Sequence, residues 1–270
     1  MIFRKIERNE RVYLDCYLPD ELPEYTPENG RPALLICPGG GYFFCSPREG
    51  EPVAYNFLAK GFAVFVLYYS VQEHAVFPGA LLDAAWAMKT IRDNAEIFGI
   101  DSEKVAVMGF SAGGHLAASL STMYNCREVL TSDLCIEKDE VRPNASILCY
   151  PVISGVNDTH MDSFRRLAAK EDPTYEELLK LSCEYHIDEN TPPAFLWHTS
   201  DDSTVPVINS LVYAQNLAAN KIPFELFIFD KGNHGLATAD KYTCEEIHPE
   251  INKWMEKASL FLKKYLDVFN

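Results

Sequence analysis

Short apolar runs alternate with longer amphipathic stretches along most of this chain. The apolar runs have the length and the β-branched and aromatic content of buried strands, whereas the amphipathic stretches repeat with helical periodicity. Strands are predicted at Val12–Tyr17, Ala33–Cys37, Phe62–Tyr68, Lys104–Met108, Ser146–Tyr150, Ala194–Thr199 and Phe224–Phe229. Helices are predicted near Pro52–Lys60, Pro78–Phe98, Ala112–Tyr124, Val207–Asn220 and Pro249–Val268. Such alternation builds a mainly parallel sheet covered by helices on both faces, so the expected fold class is α/β.

Two less regular stretches, residues 126–142 and 154–190, interrupt the alternation. Both are longer than an ordinary connection, and the second contains a short helical pattern near Glu176–Leu181. We interpret them as insertions beside the pocket that form a small partial lid. With 270 residues, of which 47% are hydrophobic, the chain can bury one large core, and residues 1–270 are predicted to form a single domain.

A serine between two glycines marks the boundary between a predicted strand and a predicted helix. The segment Gly109–Gly113 has the sequence Gly-Phe-Ser-Ala-Gly, with an apolar strand before it and small residues after it. This is the pattern of a nucleophile elbow, in which the serine adopts strained backbone geometry and the glycines avoid a collision between strand and helix. The pattern predicts that the Ser111 hydroxyl is exposed above the end of the sheet.

The elbow motif alone is weak evidence, but a second glycine-rich segment supports it. The strand Ala33–Cys37 runs through a proline into Gly39–Gly41. An acyl-transfer site needs N–H donors that face the developing oxyanion, and the backbone of Gly40, Gly41 and Ala112 can supply them. A plain glycine-rich turn and a phosphate-binding loop are the alternatives. The segment lacks both the Gly-x-Gly-x-x-Gly pattern and a Gly-Lys-Ser/Thr ending, which disfavours the phosphate loop.

Two later strands end in residues that can complete a catalytic triad with the serine. The loop after Ala194–Thr199 contains Asp201 and Asp202, and the loop after Phe224–Phe229 contains His234 between Asn and Gly. A histidine can take the proton of a serine nucleophile, and a carboxylate can orient the imidazole. The chain order serine, acid, histidine is that of nucleophile-elbow hydrolases and differs from the orders in chymotrypsin-like and subtilisin-like proteases.

Together these segments resemble the α/β-hydrolase superfamily, and in particular its small bacterial esterases of the acetyl-esterase, xylan-esterase and feruloyl-esterase type. The resemblance covers nearly the whole chain. It rests on residues 37–42, 109–116, 191–198, 202–206 and 232–235, in the order of the family. The family places its acid four residues after a histidine and three before a Val-Pro pair, which implies Asp202. Many relatives have histidine before the three glycines, where this chain has Pro38.

Three polar residues near the predicted triad are expected to have structural rather than catalytic roles. His115, on the elbow helix, and His198, at the end of its strand, are expected to be hydrogen-bonded internal histidines. Neighbouring side chains in an extended segment point to opposite sides, so Asp201 is expected to face away from His234. It is predicted to cap its loop or the helix that begins near Val207.

The residues that follow the glycine segment offer further candidates. Tyr42 and Phe43, together with Phe44, can line the pocket, or they can pack as aromatic core residues. Arg48 and Glu49 are expected to form a local ion pair rather than a substrate contact.

The charge balance narrows the range of partners. A formal net charge of −15 disfavours nucleic acid, anionic membrane surfaces and strongly acidic substrates, and a neutral ester or sugar fits better. The first residues lack the apolar core of a secretory signal, and no apolar run approaches the length of about 18 that a membrane helix needs, so a soluble cytoplasmic protein is expected. No spacing of cysteines or histidines indicates a metal site, and no cofactor is expected.

The expected function is hydrolysis of short acyl esters through an acyl-enzyme. Ser111 is the predicted nucleophile, His234 the general base, and Asp202 the acid that orients it. The resemblance implies acetylated sugars or xylo-oligosaccharides as substrates. An amide-cleaving hydrolase, such as an acyl-peptidase or formamidase, is an alternative with the same residues. A non-catalytic binding protein of the same fold is a further one.

Overall fold

The computed structural model describes residues 1–20, 30–137 and 139–268. Its strands are β1 (Ile2–Glu7), β2 (Tyr13–Leu18), β3 (Arg31–Cys37), β4 (Ala63–Tyr68), β5 (Ile100–Phe110), β6 (Ser146–Cys149), β7 (Ala194–Thr199) and β8 (Phe224–Phe229). They form one eight-stranded sheet in the order β1-β2-β4-β3-β5-β6-β7-β8. The pairs from β4 to β8 are parallel, and β2 pairs antiparallel with both β1 and β4. The predicted mainly parallel sheet is confirmed.

Helices cover both faces of this sheet. They are α1 (Glu51–Leu58), α2 (Gly79–Asp93), α3 (Ala95–Phe98), α4 (Ala112–Met123), α5 (Arg127–Leu130), α6 (Met161–Ala168), α7 (Tyr175–Leu181), α8 (Ile208–Ala219), α9 (Pro249–Asn252) and α10 (Trp254–Tyr265). Alternate residues of a strand enter different cores, as β3 illustrates: Leu35 belongs to the core that contains residues of α2, α4 and α8, whereas Leu34 and Ile36 belong to the core that contains residues of α1 and α10. This explains why the strand sequences are apolar throughout, since both sides are buried.

The strand order places a crevice where the site is expected. The chain passes from β3 to β4 on one side and then crosses to β5 on the other side of β3. In open α/β sheets, ligands bind beyond the carboxyl ends of the strands at such a reversal. Because β3 ends at Cys37 and β5 at Phe110, the segment Gly39–Gly41 and Ser111 both emerge at this crevice.

The structure differs from the predicted elements mainly at exposed positions. Strand β1 was not predicted, because it is an edge strand whose side chains are almost all exposed and therefore show no apolar alternation. The predicted helix Pro78–Phe98 is divided at Asn94, whose side-chain amide donates to the carbonyl of Thr90 (2.8 Å). The predicted helix Pro249–Val268 is likewise divided, into α9 and α10. In the described ranges, no helix is both long enough and apolar enough to cross a membrane.

The two predicted insertions lie in different places. Residues 154–190 contain α6 and α7, and α7 begins with a capping box in which the side chains of Thr174 and Glu177 bond each other's backbone N–H groups. None of the described residues of the predicted insertion 126–142 lines the cleft that contains Ser111. Val129 and Val141 of this insertion are buried in the core that includes α2, and Arg92 of α2 donates to the carbonyl of Arg142 (2.7 Å).

Candidate active site

Ser111 occupies the strained turn between β5 and α4. Its φ angle of 54° lies in the left-handed region, which is costly for a residue with a side chain. The end of β6 holds this conformation, because the Ser111 N–H donates to the carbonyl of Cys149 (3.0 Å) and the Ser111 carbonyl accepts from Val152 (3.0 Å). The strained serine is therefore fixed on both sides by the neighbouring strand.

The glycines around the serine are sterically required, as predicted. A Cβ atom at Gly109 would lie 2.0 Å from the carbonyl oxygen of Gly113 in α4. A Cβ atom at Gly113 would lie 2.1 Å from the carbonyl oxygen of Cys37, at the end of β3. The first glycine thus permits the tight strand-to-helix turn, and the second permits α4 to lie against the neighbouring strand.

The three predicted triad residues form one continuous chain of hydrogen bonds. The Oγ atom of Ser111 lies 2.8 Å from Nε2 of His234, and Nδ1 of His234 lies 2.6 Å from Oδ2 of Asp202. An ionised carboxylate can only accept, so Nδ1 carries the proton and donates to Asp202. This leaves Nε2 as an acceptor that faces the serine hydroxyl, which is the arrangement a general base requires.

Asp202 is buried and fully bonded. Its Oδ1 accepts from the N–H groups of Thr204 and Val205 (both 2.9 Å), and its Oδ2 faces both His234 and His198 (3.3 Å). Burial raises the pKa of Asp202, but the hydrogen bonds from the two histidines and from the backbone outweigh it and hold the pKa well below its ordinary value. Asp202 is therefore ionised at neutral pH.

Asp201 points away from the imidazole, as predicted, but it does not cap its own loop or α8. Its Oδ1 accepts from the N–H of Gly232 (2.8 Å), two residues before the histidine. The two preceding residues bond the same segment: Thr199 donates to the carbonyl of Gly232 (2.7 Å) and Ser200 to that of Asp230 (2.6 Å). Three consecutive side chains at the end of β7 thus fix the loop that holds His234.

Backbone donors lie beside Ser111. Gly40 and Gly41 have φ angles of 124° and 63°, line the same cleft as Ser111, and donate their N–H groups to no described residue. Ala112 is the first residue of α4, and the first N–H groups of a helix have no helical acceptor. All three predicted donors are therefore free to bind an oxyanion.

A buried carboxylate connects the glycine loop to the histidine loop. Glu49 accepts the N–H of Gly39 with Oε2 (2.9 Å) and the hydroxyl of Tyr150 with Oε1 (2.8 Å). The same hydroxyl accepts from the N–H of Ala237 (2.9 Å), and the Tyr150 ring packs edge-on against His234 at 5.0 Å between ring centroids. The predicted ion pair with Arg48 is wrong, because Glu49 is used in this bridge and Arg48 lies exposed in the cleft.

The cleft above Ser111 has a volume of about 280 Å³. Phe43 and Phe44 line it and are half exposed, at 52% and 51%. Tyr42, for which pocket and core were both open, lies in the core and does not line the cleft. Tyr42 is buried, and its hydroxyl lies 2.8 Å from Nδ1 of His115, so its side chain turns into the core beneath the site.

Both histidines that were interpreted as structural are buried and bonded. Nε2 of His115 lies 2.7 Å from the carbonyl of Leu181, and burial lowers the pKa of His115 to about 4. His198 has Ser210 Oγ 2.8 Å from Nδ1 and the Val205 carbonyl 2.8 Å from Nε2. Neither ring faces the cleft, whereas both stabilise elements that position it.

Two cleft residues that come from the insertion carry no motif in the sequence and were not predicted. His160 lies just before α6, and its Nδ1 is 2.9 Å from the hydroxyl oxygen of Ser163. Burial lowers the pKa of His160. Arg166 donates to the carbonyl of Gly41 (3.2 Å) and lies over the ring of Phe43 at 5.2 Å. The insertion therefore supplies one wall of the cleft, which is the position expected of a small lid.

Within the described ranges no group of three or more His, Cys, Asp or Glu side chains is arranged to hold a metal ion.

The site and the fold together define an α/β hydrolase. The serine lies on a strained elbow of a sheet with this strand order, and it is bonded to a histidine and through that histidine to a buried aspartate. Residues 14–217 match the BD-FAE family model, and the chain therefore belongs to the BD-FAE family of α/β-hydrolase esterases.

Individual relatives agree with this assignment. The chain is 40% identical over 213 residues to endo-1,4-beta-xylanase B of Butyrivibrio fibrisolvens, covering 78% of this chain and 33% of that protein. It is 33% identical over 255 residues to an acetylxylan esterase of Xylanibacter ruminicola, covering 91% and 48%. Among solved structures, an acetyl ester-xyloside bifunctional hydrolase from Caldicellulosiruptor lactoaceticus superposes with a TM-score of 0.83 at 32% identity, covering 97% of this chain and 96% of that one. The chain thus spans a third to a half of the two curated relatives but nearly all of the solved one.

Proposed function

We propose that this protein is a serine esterase that hydrolyses short acyl esters, in particular acetyl groups on saccharides of the xylan type. The observation that supports it most is the unbroken set of hydrogen bonds from Ser111 through His234 to Asp202, beside free backbone donors. The relatives named for acetylxylan and acetyl ester-xyloside hydrolysis support the ester and the saccharide.

In the first half-reaction, His234 takes the Ser111 proton as the serine oxygen attacks the ester carbonyl. The carbonyl oxygen becomes negative and accepts hydrogen bonds from Gly40, Gly41 and Ala112, each of which is typically worth roughly 3 to 4 kcal/mol in the transition state. The ionised Asp202 stabilises the imidazolium that forms. The tetrahedral intermediate then collapses: the bond to the alcohol oxygen breaks, and His234 gives its proton to the departing alkoxide.

In the second half-reaction, water takes the place of the alcohol. His234 removes a proton from the water, the hydroxide attacks the acyl-serine, and the same backbone donors stabilise the second oxyanion. Collapse of this intermediate returns the proton to Ser111 and releases the acid.

The walls of the cleft favour a small acyl group. The cleft is lined by His160 and Arg166 as well as Phe43, and its whole volume is about 280 Å³. A long alkyl chain would meet polar groups there and lose their hydration without compensation. Acetyl and propionyl esters are therefore expected to be better substrates than octanoyl esters.

The test is a panel of p-nitrophenyl esters, acetylated xylo-oligosaccharides and N-acyl peptides, assayed with the wild-type protein and Ser111→Ala. We expect release of acetate from the first two classes, a decline in kcat/KM from acetyl to octanoyl, and no turnover by the variant. Cleavage of the amides at rates that exceed those of the esters would overturn the proposal in favour of an amidase. Turnover of none of the substrates would overturn catalysis altogether.

A further inference from the structure

A second cleft opens next to the one that contains Ser111. It has a volume of about 370 Å³, and the two clefts share Arg48, His234 and Gly235. Its far wall is the segment that contains Glu245 and Glu246. The second cleft therefore adjoins the loop that holds His234, and neither Gly40 nor Gly41 lines it.

The chemistry of ester cleavage decides which part of the substrate lies on this side. The imidazole must give its proton to the departing alcohol oxygen, so that oxygen has to lie within hydrogen-bond distance of Nε2 of His234. The alcohol half of the ester therefore lies next to His234, which lines both clefts together with Arg48 and Gly235. A large alcohol half can therefore extend from the Ser111 cleft into the second cleft.

Four of the polar side chains that line this cleft have no partner among the described residues. The side chains of Arg48, Asn233, Glu245 and Glu246 make no hydrogen bond or ion pair with any other described residue. The segment beneath them is well anchored, because Thr243 Oγ1 donates to the carbonyl of Leu236 (3.0 Å) and the His248 N–H to that of Ala239 (3.1 Å). The cleft thus presents free polar side chains on a fixed wall.

The kinds of polar group identify the ligand class. The two glutamates accept hydrogen bonds, Arg48 donates them, and Asn233 does both. Sugar hydroxyls both donate and accept, so they can satisfy all of these groups at once. Two carboxylates against one guanidinium disfavour an anionic ligand, in agreement with the net charge of −15.

We propose that the cleft formed by Arg48, Asn233, Glu245, Glu246 and His248 binds the alcohol half of the substrate, and that this half is a neutral saccharide. The inference rests on the proposed esterase function and assigns the part of the substrate that the reaction itself does not define. Sugar units next to the acetylated one lie along the far wall, where the glutamates accept from their hydroxyls.

The test compares two acetate esters that differ only in the alcohol: p-nitrophenyl acetate and an acetylated xylo-oligosaccharide. The variant Glu245→Ala/Glu246→Ala is assayed on both. Loss of hydrogen bonds to two carboxylates is expected to lower the ratio of kcat/KM for the saccharide to kcat/KM for p-nitrophenyl acetate by about tenfold. The control Glu176→Ala/Glu189→Ala removes two exposed charges outside both clefts and is expected to leave this ratio unchanged.

The possible outcomes separate the two proposals. An unchanged ratio in the cleft variant, or an equal fall in the control, overturns the saccharide cleft while the esterase remains. Faster wild-type turnover of an acetylated saccharide that carries a uronic acid than of the neutral one overturns the neutral class. A wild-type protein that hydrolyses neither acetate ester shows instead that the esterase proposal has failed.

Discussion

Two regions of this molecule contain polar side chains at the same crevice, yet they are built in opposite ways. In the first, the frame around Ser111, His234 and Asp202, each side chain has its partner. In the second, the rim of the two clefts, side chains such as Arg48 and Glu246 have no partner in the described chain. The frame is bonded within the protein, whereas these rim side chains are open to solvent or to a ligand.

The difference separates chemistry from recognition. Transition-state stabilisation depends on groups that are already oriented, so a bonded frame costs no reorganisation when the reaction occurs. Groups on an exposed rim are hydrogen-bonded to water before binding. A hydrogen bond to the ligand therefore adds only the small difference in free energy between the two bonds. Changes in the frame should therefore lower kcat on every substrate, and changes in the rim should alter discrimination between substrates.

The largest effect is expected for the nucleophile. Ser111→Ala should fold normally and lose roughly 10⁴ to 10⁶ in kcat, the scale found when a triad nucleophile is removed. A fluorophosphonate probe should label the wild-type protein and not the variant. If the probe labels another serine in the variant, the nucleophile has been assigned to the wrong residue.

The adjacent aspartates provide a matched pair. Asp202→Asn should lower kcat by roughly 10⁴, because an amide can stabilise the wrong tautomer of His234. Asp201→Asn keeps an oxygen that can accept from Gly232, so it should cost less than about tenfold. The comparison is made on protein whose fold has been checked by circular dichroism, and the reverse ranking would transfer the role to Asp201.

A third prediction concerns the buried histidine beneath the frame. The pKa of His115 is lowered by burial from 6.5 to about 4, so between these values the unfolded chain binds a proton that the folded protein does not. The His115 contribution to the free energy of unfolding is therefore fully present above pH 6.5. It is lost as the pH falls toward 4, by about 3 kcal/mol in total at 1.36 kcal/mol per pKa unit.

Urea denaturation between pH 7 and pH 4.5 measures this contribution when wild type is compared with His115→Gln. The wild-type free energy of unfolding should fall more steeply with decreasing pH than that of the variant. Parallel curves would show that His115 is protonated as easily in the folded protein as in the unfolded chain.

The bridge between the two loops should have a smaller effect that still belongs to the frame. Glu49→Gln weakens the contact of the bridge with either Gly39 or Tyr150 and should displace the glycine loop, with a loss of about 10- to 100-fold in kcat and little change in KM. Tyr150→Phe removes the other end of the bridge and should behave alike. A change confined to KM on saccharide esters would show that Glu49 contributes to substrate binding and does not position the catalytic residues.

The frame could be predicted from the sequence to a greater extent than the rim. The frame is encoded locally: Ser111, Asp202 and His234 each follow an apolar strand in a motif of a few residues, and parallel strands bring their carboxyl ends together. The Glu49 bridge was missed because its partners Gly39 and Tyr150 are far apart in sequence and only the fold joins them. Exposed groups follow no periodicity, so their place on the rim had to come from the structure.

Tyr42 is a residue for which the sequence could not decide between two positions. It directly follows the glycine loop, and its sequence position fits the pocket and the core equally well. The decision comes from His115, which is distant in sequence and offers the Tyr42 hydroxyl a buried hydrogen-bond partner (2.8 Å). A buried hydroxyl needs such a partner, so the side chain turns inward.

The acyl-enzyme itself is the most direct test of the frame. Wild type and Asp202→Asn are mixed with p-nitrophenyl acetate, quenched in acid within the first turnovers, and analysed by intact and peptide mass spectrometry. We expect a mass gain of one acetyl group on the peptide that contains Ser111, with faster accumulation in the wild type than in the variant. Release of p-nitrophenol with no acetylated Ser111 at any time, or acetylation of a different residue that keeps pace with turnover, would contradict this expectation.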